Sequence, residues 1–194
     1  MDREDATLII LAGGESRRMG RPKHLLPTPC GCLIEHLAGR LGDCFTEILV
    51  VGRDLDLSID GLRVVEDARP EQSPLVGIHG GLTAATTDLS FVVACDLPFA
   101  KPTLVRRILS AASDVDIAVP VVRGYLEPLF AAYRRSALDT IAETLDRGIL
   151  KVTACYDRLR IREVPEIEVR RYDPDLASFV NLNVPEQLHL LARL

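Results

Sequence analysis

The sequence predicts an α/β protein with a mainly parallel sheet. Short apolar runs rich in β-branched residues alternate with segments of helical periodicity, and this alternation is typical of βαβ units. The runs at 7–12 and 91–95 are almost continuously apolar, as expected of central strands that are buried on both faces. The chain has 194 residues, of which 47% are hydrophobic, so it can bury one substantial core and we expect a single domain, 1–194.

Three patterns predict the elements before residue 100. Apolar runs indicate strands, apolar residues spaced i, i+3 and i+4 indicate a helix, and a stretch rich in Pro and Gly indicates a long loop, which is often functional. In chain order we predict a strand at 7–12, a helix at 33–41, strands at 47–52 and 62–66, a loop at 67–81, a helix at 82–87 and a strand at 91–95.

Proline and glycine bound the helices predicted after residue 100. Proline is favoured in the first turn of a helix and glycine just beyond its end, so Pro102 and Pro185 mark helix starts and Gly148 marks a helix end. In chain order we predict a helix at 102–112, a strand at 115–122, a β-rich stretch at 127–133, a helix at 137–147, an edge strand at 158–164 and a closing helix at 185–194.

The charge pattern excludes some classes of partner. The net charge is −5 and the signs are interspersed, so no broad positive field attracts a nucleic acid. The apolar run at 8–12 is too short for a signal sequence or a membrane span, which predicts a cytoplasmic protein that binds no membrane. A small phosphorylated substrate is compatible, because a few cations and N–H groups suffice to bind it.

The cysteines predict reduced thiols. Five occur, at 30, 32, 44, 95 and 155, an odd number without the C-x-x-C pairs of a structural zinc site. The alternative is a redox or metal-binding pair at Cys30 and Cys32, although two thiolates alone do not complete a tetrahedral site.

The most informative segment is L-A-G-G-E-S-R-R-M-G-R-P-K at 11–23, where the first predicted strand ends. Ligands of open α/β sheets bind there. Gly13 and Gly14 allow N–H groups to approach phosphate oxygens, and Arg18 and Lys23 supply cations. The segment matches neither G-x-x-x-x-G-K-[ST] nor G-x-G-x-x-G. It predicts a site for a nucleoside triphosphate; the alternative is a basic surface turn.

A carboxylate follows the strand at 91–95. Asp96 is a hard oxygen ligand that could hold Mg²⁺ against phosphates, because Mg²⁺ takes one or two carboxylates together with phosphate oxygens. The alternative is that Asp96 caps the helix that follows.

Two amides near the C-terminus are spaced i, i+2. In an extended segment Asn181 and Asn183 project from the same side and can offer donors and acceptors to a polar substrate. Asn183 could instead cap the closing helix.

These motifs together resemble the nucleotidyltransferases that activate sugars and cofactors, and are most similar to the molybdenum cofactor guanylyltransferase family. The resemblance rests on four segments: L-A-G-G-x-S-x-R-M-G-x-x-K at 11–23, E-D with P-L-x-G at 66–77, D-x-P at 96–98 and F-x-N-x-N at 179–183. It extends over almost the whole chain, but Ser73 stands where the family has Gly and Val184 where it commonly has Thr.

The resemblance implies a single-domain, three-layer αβα Rossmann-like nucleotidyltransferase fold, with a nucleotide-binding half at about 1–100 and an acceptor-binding half at about 101–194. The implied reaction transfers GMP from GTP to molybdopterin, with Mg²⁺ on Asp96 and with Lys23, Arg18 and Asp96 as catalytic residues. The implied ligand contacts are Leu11, Ala12, Gly13, Gly14, Lys23, Asp67, Pro74, Leu75, Gly77 and Asp96 for the nucleotide, and Asn181 and Asn183 on the acceptor side.

Several alternatives stay open at this stage. The same loop suits transfer of CMP to the pterin, or of a nucleotide to a sugar phosphate or another phosphorylated acceptor, and a non-catalytic nucleotide-binding partner is a third reading. Composition alone makes Asp67 a solvated turn residue. Lys151 matches a basic position of the family only in part, and His79 has no assigned role. Molybdoenzyme apoproteins or their chaperones are the protein partners that the resemblance suggests.

Overall fold

The computed structural model describes residues 3–13, 25–28, 31–53, 55, 59–66 and 69–182. Its strands are β1 (Glu4–Leu11), β2 (Pro27–Thr28), β3 (Gly31–Cys32), β4 (Phe45–Gly52), β5 (Arg63–Glu66), β6 (Leu89–Ala94), β7 (Ile117–Val122), β8 (Tyr125–Leu126), β9 (Phe130–Arg134) and β10 (Ile161–Val164). Its α-helices are α1 (Leu33–Leu41), α2 (Pro74–Ala84), α3 (Pro102–Ala111), α4 (Leu138–Asp146) and α5 (Glu166–Tyr172).

The central sheet is mainly parallel, as predicted. Its strand order is β10-β7-β9-β6-β1-β4-β5, with β8 paired to β7. The pairs β1–β4, β1–β6, β4–β5 and β7–β10 are parallel, and β9 runs antiparallel between β6 and β7. The ends of β1, β4, β5 and β6 therefore lie on one side of the sheet, which we call the carboxyl edge.

Two apolar cores cover the two faces of this sheet. Successive side chains of a strand point to opposite faces, so Leu8 and Ile10 pack in one core and Ile9 and Leu11 in the other. Helices α1, α3 and α5 cover the first core, and α2 and α4 cover the second. The single-domain, three-layer αβα arrangement is thereby confirmed.

The predicted loop at 67–81 was wrong in its second half. Residues 74–81 belong to α2, which ends at Ala84 and not at 87. Ser73 begins this helix, because its side chain accepts a hydrogen bond from the Val76 amide at 3.3 Å and Pro74 fills the first turn. Glycine and proline in this stretch concealed a helix that tertiary packing stabilises.

Other predicted bounds shifted by a few residues. The stretch at 127–133 contains a turn at 127–129 before β9, and the predicted edge strand forms from Ile161 onwards, at the end of the sheet. Helix α5 was not predicted. The predicted closing helix at 185–194 lies outside the described residues.

Gly81 in α2 allows the helix to lie directly on β1. A Cβ at this position would come within 2.7 Å of Ile9 Cγ2, a side chain that is fully buried. We expect Gly81→Ala to destabilise the protein, because about 1–3 kcal/mol of overpacking exceeds the gain of about 1 kcal/mol in helix propensity. The free energy of unfolding from urea titration measures this effect.

Gly39 in α1 provides the matched control. A Cβ there meets no atom within 4 Å, so Gly39→Ala should stabilise the protein by helix propensity alone. Stabilisation by both substitutions would show that α2 does not pack tightly against β1.

Candidate active site

The glycine-rich segment begins where β1 emerges between two strands at the carboxyl edge. The Ala12 amide donates to the Val51 carbonyl of β4 at 2.8 Å, and the Cys95 amide beyond β6 donates to the Leu11 carbonyl at 3.0 Å. Leu11 and Ala12 are buried, whereas Gly13 is exposed and a Cβ on it would meet open space. The main chain at Gly13 is thus accessible to a ligand from this edge.

Gly52 was not predicted to take part in the site. Because it has no side chain, it leaves space for the main chain of Ala12 and Gly13. A Cβ on Gly52 would lie 3.3 Å from the main-chain carbon of Ala12 and 3.3 Å from the nitrogen of Gly13. Backbone atoms cannot move aside as a side chain can, so a larger residue would displace the start of the loop. A glycine that ends the neighbouring parallel strand was the available signal.

The structure does not describe the rest of the predicted phosphate loop. Gly14, Arg18 and Lys23 lie outside the described residues, as do Asp67 and Asn183. Their assigned roles therefore stay predictions.

Asp96 stands at the carboxyl edge, as predicted, and is half-buried. The Leu97 amide donates to the Ala94 carbonyl at 3.1 Å, which turns the chain immediately after β6. The first turn of α3 comes later, at Pro102, with Lys101 as its cap residue, so the alternative that Asp96 caps this helix was wrong.

Helix α1 holds the loop that follows Asp96. The ring of His36 lies 3.0 Å from the Pro98 carbonyl through Nε2, and Arg40 Nε donates to the Ala100 carbonyl at 2.6 Å. Burial lowers the pKa of His36 and outweighs the opposing effect of the bond to Pro98. His36 is thus neutral at pH 7, and its Nε2–H donates because a carbonyl can only accept.

The chain at Asn181 and Leu182 passes beside Asp96. The Leu182 amide donates to the Asp96 carbonyl at 2.9 Å, and Leu182 is fully buried whereas Asn181 is exposed. Two motifs far apart in sequence thus meet at one point of the edge through a main-chain hydrogen bond.

Helix α2 begins on the same edge, after β5. Within this helix Leu75 and Gly77 are buried, whereas Pro74 is exposed at its start. Leu75 packs in the second core. The turn before α2 is held by Arg53, which follows β4 and donates to the carbonyls of Arg69 at 2.5 Å and Pro70 at 3.2 Å. Arg53 was not predicted from the sequence, although it is a cation directly after a strand.

Potential metal ligands do not cluster in the part of the chain that the structure describes. Among residues 3–13, 25–28, 31–53, 55, 59–66 and 69–182, no three His, Cys, Asp or Glu side chains cluster as a metal site would require. A half-buried carboxylate beside accessible main chain suits a hard cation such as Mg²⁺, whose remaining ligands are phosphate oxygens and water. Asp96 is the residue that fits this role.

Burial is the main influence on His79 and on two of the described cysteines, whereas Lys151 is exposed. Burial, with a smaller effect from Arg69, lowers the pKa of His79, which lies on α2. Lys151 is exposed before the 3₁₀ turn Val152–Arg158. The described cysteines are thiols and not disulfides, and burial raises the pKa of Cys44 and Cys155, which makes these thiols poor nucleophiles.

A surface cavity of about 630 Å³ lies at the opposite edge of the sheet. Its lining includes Arg3, Asp43, Glu47 and Arg63, and Arg63 pairs with Glu47 at 2.8 Å. The charges there already neutralise one another, and no strand of the parallel set ends there, so the carboxyl edge is the better candidate.

Across the helices that the structure describes, none has the length and apolarity to cross a membrane.

The sequence is similar to those of known proteins along most of its length. Residues 8–161 match the family model described as a MobA-like NTP transferase domain. The probable molybdenum cofactor guanylyltransferase of Pelotomaculum thermopropionicum is 38% identical over 184 residues, which cover 94% of this chain and 90% of that protein. The molybdenum cofactor guanylyltransferase of Desulfosudis oleivorans is 36% identical over 94% of this chain and 92% of its own length.

A solved structure shares the fold along its whole length. The crystal structure of molybdopterin-guanine dinucleotide biosynthesis protein A from Archaeoglobus fulgidus superposes with a TM-score of 0.83 at 27% identity, covering 96% of this chain and 97% of that one. The resemblance drawn from the sequence motifs is therefore confirmed, and the chain belongs to the MobA-like NTP transferase family.

Proposed function

We propose that this protein transfers GMP from GTP to the phosphate of molybdopterin or its molybdenum-bearing form, yielding the guanine dinucleotide cofactor and pyrophosphate. The observation that carries this proposal is the similarity to two named molybdenum cofactor guanylyltransferases over 94% of the chain. The site supports it, because accessible main chain at Gly13, the carboxylate of Asp96 and the amide of Asn181 share one edge of the sheet.

Each half of the chain has its own task in this proposal. The nucleotide half, about 1–100, would bind GTP, and the acceptor half, about 101–194, would bind the pterin through Asn181 and Asn183. The proposed nucleotide contacts are Leu11, Ala12, Gly13, Gly14, Lys23, Asp67, Pro74, Leu75, Gly77 and Asp96. Leu11 and Leu75 would act through their main chain and packing, since both side chains are buried.

Catalysis of this reaction would depend on neutralising the negative charge of the phosphates more than on proton transfer. The phosphate of the acceptor attacks the α-phosphorus of GTP, the bond from that phosphorus to the bridging oxygen breaks, and pyrophosphate leaves with the electron pair. Because the nucleophile is already an anion, no general base is required. The main-chain amides at Gly13 and Gly14 and the cations Arg18 and Lys23 would neutralise the triphosphate and orient it for in-line attack.

Mg²⁺ is the proposed metal, held by Asp96 and the phosphates, and it would neutralise charge as a Lewis acid when bound. Asn181, which precedes the residue whose amide bonds to the Asp96 carbonyl, would orient the acceptor. We further propose that the reaction takes place in the cytoplasm and that the product passes to molybdoenzyme apoproteins or their chaperones.

Nucleotide choice is tested by thermal unfolding with each of the four ribonucleoside triphosphates and Mg²⁺. A ligand that binds only the folded protein stabilises it by RT ln(1 + [L]/Kd), about 2.7 kcal/mol at 100 times Kd. We expect GTP to raise Tm the most, and we expect GTP, Mg²⁺ and molybdopterin together to release pyrophosphate. Greater protection by CTP would assign the protein to cytidylyl transfer, and a pyrophosphate yield that is independent of molybdopterin would contradict the proposed acceptor.

A further inference from the structure

A fully buried carboxylate lies just beyond α5, outside the motifs that the function uses. Asp173 has no solvent-exposed surface. Both of its oxygens are hydrogen-bonded: Lys101 Nζ lies 2.7 Å from Oδ1, the Ala177 amide donates to Oδ1 at 3.1 Å, and the Ser178 amide donates to Oδ2 at 2.8 Å. The charge of Asp173 is thus compensated inside the protein.

Asp173 is ionised at neutral pH. Burial alone raises the pKa of this carboxyl group, but the hydrogen bonds from Lys101 and Ser178 outweigh it and hold the pKa below its ordinary value. Ser178 and Lys101 are also bonded to each other, since the Lys101 amide donates to Ser178 Oγ at 3.0 Å. Asp173, Ser178 and Lys101 form a closed polar cluster, which we call the Asp173 cluster.

The Asp173 cluster attaches the chain before Asn181 to the loop after Asp96. Lys101 ends that loop, and Asp96 begins it with a carbonyl that accepts from the Leu182 amide at 2.9 Å. The loop at 96–101 is therefore fastened at both ends to the segment at 173–182. Asn181 lies directly beside one of these two fastenings.

The backbone of this segment is held in a costly conformation. Leu176 has φ of +55° and ψ of +32°, the left-handed region, which is unfavourable for a non-glycine residue and persists only where the surroundings impose it. Its side chain is buried, and the Leu176 amide donates to the Asp173 carbonyl at 3.0 Å. Phe179 then packs edge-on against Phe130, with ring centroids 5.0 Å apart.

We propose that Asp173 and Lys101 are positioning residues that fix the placement of Asn181 relative to Asp96. This inference rests on the proposed function, in which Asn181 orients the acceptor and Asp96 holds the metal. A buried ion pair stabilises a fold little compared with apolar packing, whereas its directional bonds restrict geometry. A displacement of about 1 Å at a reacting centre can lower the rate by about 10²-fold, so the cluster controls turnover without touching substrate.

Asp116 provides a matched control at the opposite edge of the sheet. It precedes β7, is 7% exposed and pairs with Arg160 at 2.8 Å. Its carboxylate also accepts from Ser136 Oγ at 2.6 Å. Asp116→Asn thus disturbs a similarly enclosed carboxylate with a cationic partner, but at a distance from the site.

The test compares Asp173→Asn with Asp116→Asn in the full chain, at a temperature well below both Tm values. We expect Asp173→Asn to raise KM for molybdopterin and lower kcat, each by on the order of 10-fold, while the Kd of GTP stays within twofold of wild type. Asp116→Asn should lower Tm only. Equal kinetics for the two variants would overturn the positioning role.

A second readout does not depend on activity. In Asp173→Asn, hydrogen exchange of the Leu182 amide should accelerate by on the order of 10-fold more than exchange in β1, because this segment opens locally. In Asp116→Asn, any loss of global stability should accelerate exchange at Leu182 no more than exchange in β1. Lys101→Met keeps a long apolar stem and replaces Asp173→Asn if that variant does not fold. Unchanged exchange at Leu182 would overturn the inference, whereas a wild-type enzyme without turnover would contradict only the proposed function.

Discussion

Replacing Asp96 with alanine is expected to lower kcat by on the order of 10²–10³, the usual loss when one preorganised group that stabilises transition-state charge is removed. The fold should survive. Asp96 is only half-buried, and the contact that it offers to Leu182 uses the main-chain carbonyl, which alanine retains. Steady-state pyrophosphate release with GTP, Mg²⁺ and molybdopterin measures the loss, and circular dichroism monitors the fold.

The dependence on metal distinguishes a ligand from a merely nearby charge. If Asp96 binds Mg²⁺, Asp96→Ala should raise the Mg²⁺ concentration needed for half-maximal rate and weaken Mn²⁺ binding in the presence of GTP. Asp139→Ala, which removes an exposed carboxylate in the first turn of α4, should leave both quantities unchanged. Near-normal turnover of Asp96→Ala with unaltered metal dependence would remove Asp96 from the site.

The sequence predicted Asp96 because strand ends are readable from local pattern. An apolar run followed by a carboxylate already places that carboxylate at the carboxyl edge of a parallel sheet. Gly13 was found for the same reason. Both predictions needed only the alternation of strands and helices, and the register of β1 with β6 then brings Leu11 opposite Ala94.

The supports of the site could not be predicted in this way. His36 reaches Pro98 across 62 positions of sequence, and Arg40 reaches Ala100 across 60. Nothing local to α1 indicates which carbonyls it will meet, because that depends on how α1 packs on the sheet. Asp173 was missed for a related reason, since an isolated aspartate between polar residues is typical of a solvated turn.

Helix α2 shows where local signals conflicted. Ser73-Pro74 is a good helix start, but the glycines that follow lower helix propensity by about 1 kcal/mol each. Tertiary contact decided the outcome, because Gly81 allows close packing on Ile9. Composition therefore indicated a loop, whereas the Ser73 cap indicated the true start of the helix.

Replacing Lys23 with alanine is the second change for which we expect a loss in kcat on the order of 10²–10³. Lys23 lies outside the described residues, so this prediction rests on the sequence motif and on the proposed reaction. Pyrophosphate leaves with additional negative charge, and a lysine ammonium near the triphosphate would stabilise that charge in the transition state. Lys23→Arg keeps the positive charge with a different shape and should recover part of the rate.

Lys151→Ala separates a specific contact from a general loss of positive charge. Lys151 is exposed, and its removal changes the net charge by the same amount as removal of Lys23. A non-specific electrostatic effect would lower the rate equally in both variants and would fade as ionic strength rises, because exposed charges are screened within about 10 Å at 0.1 M salt. A specific contact requires Lys23→Ala to lose far more activity than Lys151→Ala at both low and high salt. Equal losses would instead make the basic segment at 17–23 a source of attraction for nucleotides with no direct part in the chemical step.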